Sequence, residues 1–375
     1  MASKSPQWRK RLTAVAVAMT TSALVLTGCN GLMGNSAQVP LDMASWISPD
    51  TGPGQAIQKW ITEVENQSGG EIDVTEFWNG ELFGAAEIKD GLTDGRVQLG
   101  NLATAYTPTE FPITQMVEVP FLGGNIGAQV TALNRMYREN EDFRSEWEDR
   151  AGIKVLSFIP VSPTVLGTKS RVDSIDWFPG KTVRATGSFG AAIAAVGGNP
   201  APIEIGETYE ALQRGTAEAY GGVTLDHLPS SGLYEVGPYI QDVGLGHYAA
   251  PVWSISMATW EGLSSEHKQI LETASQQFPS WIVETTIAAE DAGCGVVLEA
   301  GGTVTAFPAT EVERWKRAIG DKPFDAWAAR VSEQTDVEDP KALYNQMVGY
   351  YREAAEGEFV DLKPAAQRCE ERARR

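Results

Sequence analysis

The sequence predicts an α/β protein with two lobes and one long helix that spans both of them. The chain has 375 residues, about twice the usual length of one domain. Strand-like and helix-like hydrophobic patterns alternate along it, which is typical of parallel-type sheets covered by helices. Over residues 265–298 the helical pattern continues without a strand, and a helix of that length exceeds what one domain usually needs.

Each element is predicted from its hydrophobic period and from the Gly, Pro and Asp residues at its ends. Residues 39–46 alternate as a strand, and residues 55–67 carry apolar side chains at helical spacing until Gly69-Gly70 stops the helix. By the same criteria we expect a helix at 85–94 and strands at 71–78, 97–103, 154–161, 182–185, 252–258 and 303–307. Pro279 should kink or divide the long helix.

The alternation suggests a division into two lobes and a tail. We assign residues 39–161 to the first lobe, with roughly 250–290 returning to it. The second lobe takes residues 162–249, with roughly 291–345 contributing. Residues 346–375 are expected to form a solvated C-terminal helical tail, because charges of both signs alternate there.

The first 28 residues predict a signal peptide. Residues 8–11 hold three basic side chains, and residues 12–26 form an apolar stretch. As a helix these fifteen residues would rise only about 22 Å, short of the roughly 30 Å hydrocarbon core. A removable signal therefore fits better than a membrane-spanning helix.

The apolar stretch ends in Leu26-Thr27-Gly28-Cys29, which resembles the lipobox of bacterial lipoproteins. The resemblance implies cleavage before Cys29, a lipid on its sulfur, and a short tether over residues 29–38. We thus expect an exported protein anchored to the outer face of the cytoplasmic membrane. The alternative is a soluble secreted protein cleaved nearby, with an incidental cysteine.

The charge excludes one class of partner. The chain holds 49 acidic and 30 basic residues, a net charge of −19, and four of the basic residues lie in the first eleven positions. Without residues 1–28 the charge is −23. Nucleic-acid binding needs Lys and Arg on the surface, so it is not expected here.

Two cysteines remain beyond the signal, Cys294 and Cys369. In an exported protein such a pair can form a disulfide. The alternative is a pair of buried thiols, and spacing alone does not separate the two.

Sequence motifs of catalysis are missing. The three histidines, His227, His247 and His267, form no zinc pattern, and Gly180-Lys181-Thr182 lacks the earlier glycine of a phosphate loop. The adjacent Asp226 and His227 are expected to point apart, which favours a structural histidine. We expect no metal, no cofactor and no enzyme activity.

Arg184 is a candidate anion site. It ends the short predicted strand 182–185, and residues 187–190 provide a turn before a run of small residues of helical type. Ligands of open α/β sheets bind beyond the carboxyl ends of strands, where helix N-termini offer free N–H groups. A guanidinium there matches a carboxylate. The alternative is a surface arginine paired with one of the many acids.

Four segments together resemble one family. They are LTDGRVQLG at 92–100, GKTVR at 180–184, GGNPAP at 197–202 and ETYEALQRG at 207–215. Over roughly residues 38–345 the chain resembles the DctP-type solute-binding proteins of tripartite ATP-independent periplasmic (TRAP) transporters. The resemblance implies a two-lobe, periplasmic-binding-protein-like fold that closes over a ligand and then docks on a membrane permease.

The resemblance also implies ligand contacts. Arg184 falls on the arginine that pairs with the ligand carboxylate in this family. Other candidate contacts are Trp46, Asn101, Thr104, Thr164, Ile205 and Gly222. Core packing is the alternative for Trp46, and capping for Asn101 and Thr104. Where some members carry a second ligand-binding arginine, this chain has Thr164, and at the end of the first strand it has Trp46. The pocket is therefore expected to be more aromatic and less cationic.

These observations support one main hypothesis, a lipid-anchored TRAP-type binding protein that captures a small organic acid and delivers it to membrane permease subunits. An ABC-type or sensor-linked binding protein is the nearest alternative. An exported hydrolase is a third, although no nucleophile–base pair is evident.

Overall fold

The computed structural model describes residues 38–107 and 109–374. In these residues the strands are β1 (Val39–Ser45), β2 (Ile72–Phe77), β3 (Leu99–Leu102), β4 (Ile153–Phe158), β5 (Thr164–Thr168), β6 (Thr182–Arg184), β7 (Asn199–Ala201), β8 (Ala219–Thr224), β9 (Tyr239–Asp242), β10 (Val252–Ser256) and β11 (Thr303–Ala306). The signal peptide, Cys29 and nearly all of the predicted tether lie outside the described residues.

The helices surround the strands. They are α1 (Gly52–Gln67), α2 (Ile88–Thr93), α3 (Ile126–Glu139), α4 (Glu141–Ser145), α5 (Gly187–Ala195), α6 (Ile205–Arg214), α7 (Leu228–Ser231), α8 (Leu233–Val236), α9 (Met257–Gly262), α10 (Ser265–Glu299), α11 (Ala309–Ile319), α12 (Lys322–Gln334), α13 (Pro340–Glu356) and α14 (Ala365–Ala373). No helix of the described residues combines the length and apolar character needed to cross a membrane.

Two sheets form the centres of two lobes, as the fold class predicted. The first has the strand order β2-β1-β3-β10-β4, and the second has the order β11-β9-β5-β8-β6-β7. The chain leaves the first sheet after β4 and returns to it with β10, which lies antiparallel between β3 and β4. Each sheet carries a hydrophobic core cluster on both faces.

Helix α10 connects the two lobes. Its N-cap Ser264 accepts a hydrogen bond from the His267 N–H, and Pro279 does not divide the helix. The first half buries Leu271 and Phe278 in a core of the first lobe, while the second half buries Val297 in a core of the second. The predicted long helix across both lobes is therefore present.

The C-terminal region differs from the sequence-based division. Residues 291–345 were assigned to the second lobe, but α12 and α13 pack on a core of the first lobe through Trp327, Leu343 and Met347. An amphipathic pattern shows that a helix has a buried face, but not which core receives that face. The tail expected to be solvated is also partly buried, through Tyr351 of α13 and Cys369 of α14.

A disulfide joins α10 to α14. Cys294 and Cys369 are bonded with their Cα atoms 5.7 Å apart. Arg368 reinforces the same contact, because its Nη2 lies 2.7 Å from Oε2 of the buried Glu290. The last helix is thus fixed to the second lobe by a covalent bond and an ion pair.

Reducing this disulfide should lower the free energy of unfolding. The bond closes a loop with a sequence separation of 75 residues, for which the chain-entropy model gives about 4 kcal/mol. Cys294→Ser and Cys369→Ser should each shift the denaturant midpoint downward by the same amount. The double variant should shift it no further. Equal midpoints for oxidised and reduced protein would contradict the bond.

Candidate functional site

Arg184 lies at the carboxyl end of β6, between the parallel strands β7 and β8. Helix α5 begins three residues later, with Thr186 as its N-cap. The strand–turn–helix expected from the sequence is therefore present. Arg184 thus ends a parallel strand two residues before the N-cap of a helix, the position at which ligands of open α/β sheets bind.

The Arg184 side chain is buried but has no acidic partner. It is 7% exposed. Its Nε donates to the Ile203 carbonyl at 2.9 Å, and its Nη1 donates to the Gly221 carbonyl at 3.2 Å. Among residues 38–107 and 109–374 no carboxylate lies within ion-pair distance of it. The alternative of a surface arginine paired with an acid is therefore wrong.

This environment leaves Arg184 ready to bind an anion. Burial lowers its pKa, and the nearby Glu204 and Tyr248 partly oppose that effect. Two of the five guanidinium donors are used on carbonyls. The Nη2 group has no hydrogen-bond partner in the described chain, and a carboxylate would satisfy it while neutralising the buried charge.

Phe189 of α5 shapes the floor next to Arg184. A Cβ added at Gly221 would overlap its ring, so only glycine fits beneath Phe189 at this position of β8. The neighbouring Gly222 has a φ of +71° and also lies against Phe189. The two glycines therefore let the aromatic ring approach the strand whose carbonyl holds the guanidinium.

Two solvent-exposed tyrosines lie near this group, since Tyr248 interacts electrostatically with both Arg184 and Tyr106. Trp46 follows β1 and is partly buried against a core of the first lobe, as its core-packing alternative expects, and its ring meets that of Tyr106 edge-on at 6.3 Å. Tyr106 is 59% exposed and Tyr248, on the segment that returns from the second lobe, is 38% exposed. Large aromatic side chains left open to solvent in this way are typical of binding surfaces.

Charged and polar groups of both lobes affect the pKa of Tyr248. Protein encloses the part of Tyr248 that is not open to solvent, and this partial burial raises its pKa, as do the negative charge of Asp226 and, less strongly, Tyr106 and Glu118. Arg184 opposes these effects. Groups from both lobes thus lie within electrostatic reach of one hydroxyl.

The other predicted contacts have different surroundings. Asn101 is buried at the end of β3, with its Oδ1 unpartnered. The Thr104 hydroxyl donates to the Ala250 carbonyl at 3.3 Å and does not cap the 3₁₀ turn, whose N-cap is Ala103. Thr164 donates to the Gly246 carbonyl and lines a small cavity with Tyr248. Ile205 begins α6 and is 38% exposed.

Sequence reasoning missed Tyr106, Tyr248 and Asp226 as cleft residues. Tyr106 and Asp226 follow strands within short 3₁₀ turns, and Tyr248 lies on an irregular connection. No periodic pattern marks such positions. In the described residues, no cluster of three or more His, Cys, Asp or Glu side chains could hold a metal ion.

Comparison with known families agrees with this geometry. The model of the bacterial extracellular solute-binding protein family 7, DctP, matches residues 43–322. The chain belongs to this family. Its members are binding proteins of transporters and not enzymes, and they act outside the cytoplasm.

Curated relatives of this DctP-family protein are distant in sequence. A monocarboxylate 2-oxoacid-binding periplasmic protein of Nostoc sp. is 24% identical over 303 residues, which are 71% of this chain and 74% of the relative. A solute-binding protein of Chromohalobacter salexigens is 23% identical over 239 residues, which are 61% and 68%.

Solved structures show the same fold. A TRAP periplasmic solute-binding protein of Desulfovibrio salexigens has a TM-score of 0.75 at 20% identity, covering 86% of this chain and 98% of the other. A TRAP protein of Rhodoferax ferrireducens, solved with copurified benzoate, has a TM-score of 0.71 at 20% identity, covering 85% and 99%. A marine metagenome protein solved with 3-hydroxybenzoate has a TM-score of 0.71 at 22% identity, with the same coverage.

Gly221→Ala should disturb the Arg184 site. The added methyl group overlaps Phe189, so the ring or β8 must shift, and overpacking of this kind costs about 1–3 kcal/mol. We expect a lower melting temperature and weaker ligand binding. Gly349→Ala, in an open position of α13, is the matched control and should be neutral or stabilising. Unchanged stability and binding in Gly221→Ala would contradict this packing.

Proposed function

We propose that this protein is the extracytoplasmic solute-binding lipoprotein of a TRAP-type transporter. It captures a small organic acid between its lobes and delivers it to the membrane permease subunits. The observation that carries the proposal is the buried Arg184 guanidinium, which is held by two backbone carbonyls and lacks an acidic partner in the described chain.

The surroundings of Arg184 favour an acid with an apolar or aromatic body. Tyr248 interacts electrostatically with Arg184, and Phe189 lies against Gly221, whose carbonyl holds the guanidinium. Trp46 and Tyr106 offer further ring surfaces in the first lobe. Structural neighbours that were solved with benzoate and 3-hydroxybenzoate, and the Nostoc relative named for monocarboxylates, support this ligand class.

Closure follows from the division of contacts between lobes. Arg184 and Phe189 belong to the second lobe, whereas Trp46, Asn101 and Tyr106 belong to the first. A ligand that touches both sets gains its full contact only when the lobes approach. Binding therefore shifts the population toward the closed form, which is the form suited to permease docking.

Replacing Arg184 should strongly weaken carboxylate binding. Benzoate, 3-hydroxybenzoate, pyruvate, glucuronate and galacturonate are tested by thermal shift and isothermal titration calorimetry. An acid at a hundredfold excess over its Kd should stabilise the wild type by about 2.7 kcal/mol. Arg184→Met should lose about 100-fold in affinity, because a charge-assisted hydrogen-bonded pair contributes about 2–3 kcal/mol.

Arg171→Met is the control for that experiment. Arg171 is an exposed arginine of the second lobe, paired with Asp173 at 2.6 Å, and its loss should leave affinity unchanged. Equal binding by Arg184→Met and the wild type would refute the site. Failure of every acid to stabilise the wild type would refute the ligand class.

The lipid anchor rests on the Leu26-Thr27-Gly28-Cys29 segment. In cells given labelled palmitate, the wild type should carry the label and fractionate with membranes. Cys29→Ser should lose both properties. Cys294→Ser, which removes a different cysteine, should keep the label. A labelled Cys29→Ser protein would exclude Cys29 as the attachment point.

A further inference from the structure

Asp226 is an acidic residue near the cleft that the carboxylate site does not use. It lies in the 3₁₀ turn Leu225–His227, directly after β8. Its Oδ1 is buried and has no hydrogen-bond partner. Leaving a buried carboxylate oxygen unpaired is costly, so a partner is expected in the working state.

The fold places Asp226 on the same edge as Arg184. β8, which precedes Asp226, supplies the Gly221 carbonyl that holds Arg184. The end of β8 pairs Thr224 with Thr164 of β5, and Thr164 lines the small cavity beside Tyr248. Both Asp226 and Arg184 act on the Tyr248 hydroxyl, with opposite signs.

The protein itself does not neutralise this end of the cleft in the described residues. The negative charge of Asp226 acts on Tyr248 and on Glu290, and Glu290 is already paired with Arg368. Glu118 of the first lobe has no hydrogen bond or ion pair within the described chain; burial raises its pKa to about 7, and the charge of Arg330 partly opposes that effect.

A further acceptor lies nearby. The Nδ1 atom of His247 lies 2.6 Å from the Val161 carbonyl oxygen. Because a carbonyl can only accept, Nδ1 carries the proton and donates this hydrogen bond. Its Nε2 is then a bare acceptor, buried and unpartnered. The cleft thus combines a cation at Arg184 with a region of acceptors around Tyr248.

We infer that Asp226 is a specificity-determining residue that accepts a hydrogen bond from a hydroxyl or ammonium group of the ligand held by Arg184. The ligand class is then hydroxy- or amino-monocarboxylic acids, and a second carboxylate at this end is disfavoured by Asp226 and Glu118. This inference rests on the proposed function. A site built to bind a donor rejects the analogue that lacks it, since its own acceptor stays unpaired.

Two matched series of acids test the inference by isothermal titration calorimetry. The first is benzoate, 3-hydroxybenzoate, 3-(aminomethyl)benzoate and isophthalate. The second series is hexanoate, 6-hydroxyhexanoate, 6-aminohexanoate and adipate. In this series the carboxylate and the second polar group are farther apart than in the first. In at least one series we expect a donor-bearing acid to bind tenfold or more tightly than its parent, and the diacid to bind more weakly than the parent.

Variants of Asp226 identify the donor. Asp226→Ala should remove the preference and leave the affinity for the parent acid unchanged. Asp226→Asn keeps an acceptor oxygen, so a hydroxyl preference should survive in it and an ammonium preference should not. Asp336→Asn, at an exposed position, is the control. Melting of the unliganded Asp226→Ala protein should match or exceed that of the wild type, since no partner is lost.

Each contrary result has a distinct meaning. Arg184-dependent binding without a donor preference, a preference that survives in Asp226→Ala, or tightest binding of a diacid would overturn the role of Asp226 while the proposed function stands. If no acid of either series binds the wild type, the proposed function and this inference both fail.

Discussion

The site depends on how one guanidinium is held. Backbone carbonyls of Ile203 and Gly221 fix Arg184 from two sides, and carbonyl dipoles orient a cation without neutralising its charge. An acidic side chain in the same place would have paired with the guanidinium and left fewer of its N–H donors for a ligand. The sheet order that brings β8 beside β6, and the glycine that lets Phe189 close over β8, both serve this arrangement.

The acidic surface makes that arrangement more selective. With a net charge of −19 over the whole chain, the protein's own field opposes the approach of an anion. Burial in a low-dielectric surrounding strengthens the local attraction of Arg184, whereas exposed charges are screened by salt. The cleft therefore works through short-range contact, and groups such as Asp226 can bias which anions are accepted.

Parts of this structure could be predicted from the sequence because their causes are local. The residues around Arg184 indicate a strand, a turn and the start of a helix. The long helical hydrophobic pattern indicates α10. Strand β8 was missed because Gly221 and Gly222 are typical of turns. In the structure these glycines leave room for the ring of Phe189 on α5. Tyr248 and Asp226 were missed as cleft residues for a similar reason, since neither lies on a periodic face. The packing of α12 on the first lobe could not be predicted, because an amphipathic pattern does not show which of several cores receives the apolar face.

The late segments of the chain complete both lobes. Helix α13 supplies core side chains to the first lobe, and α14 is fixed to the second through Cys369. Each core therefore joins segments that lie far apart in the sequence, so the first and second lobes become complete only once these late helices are in place.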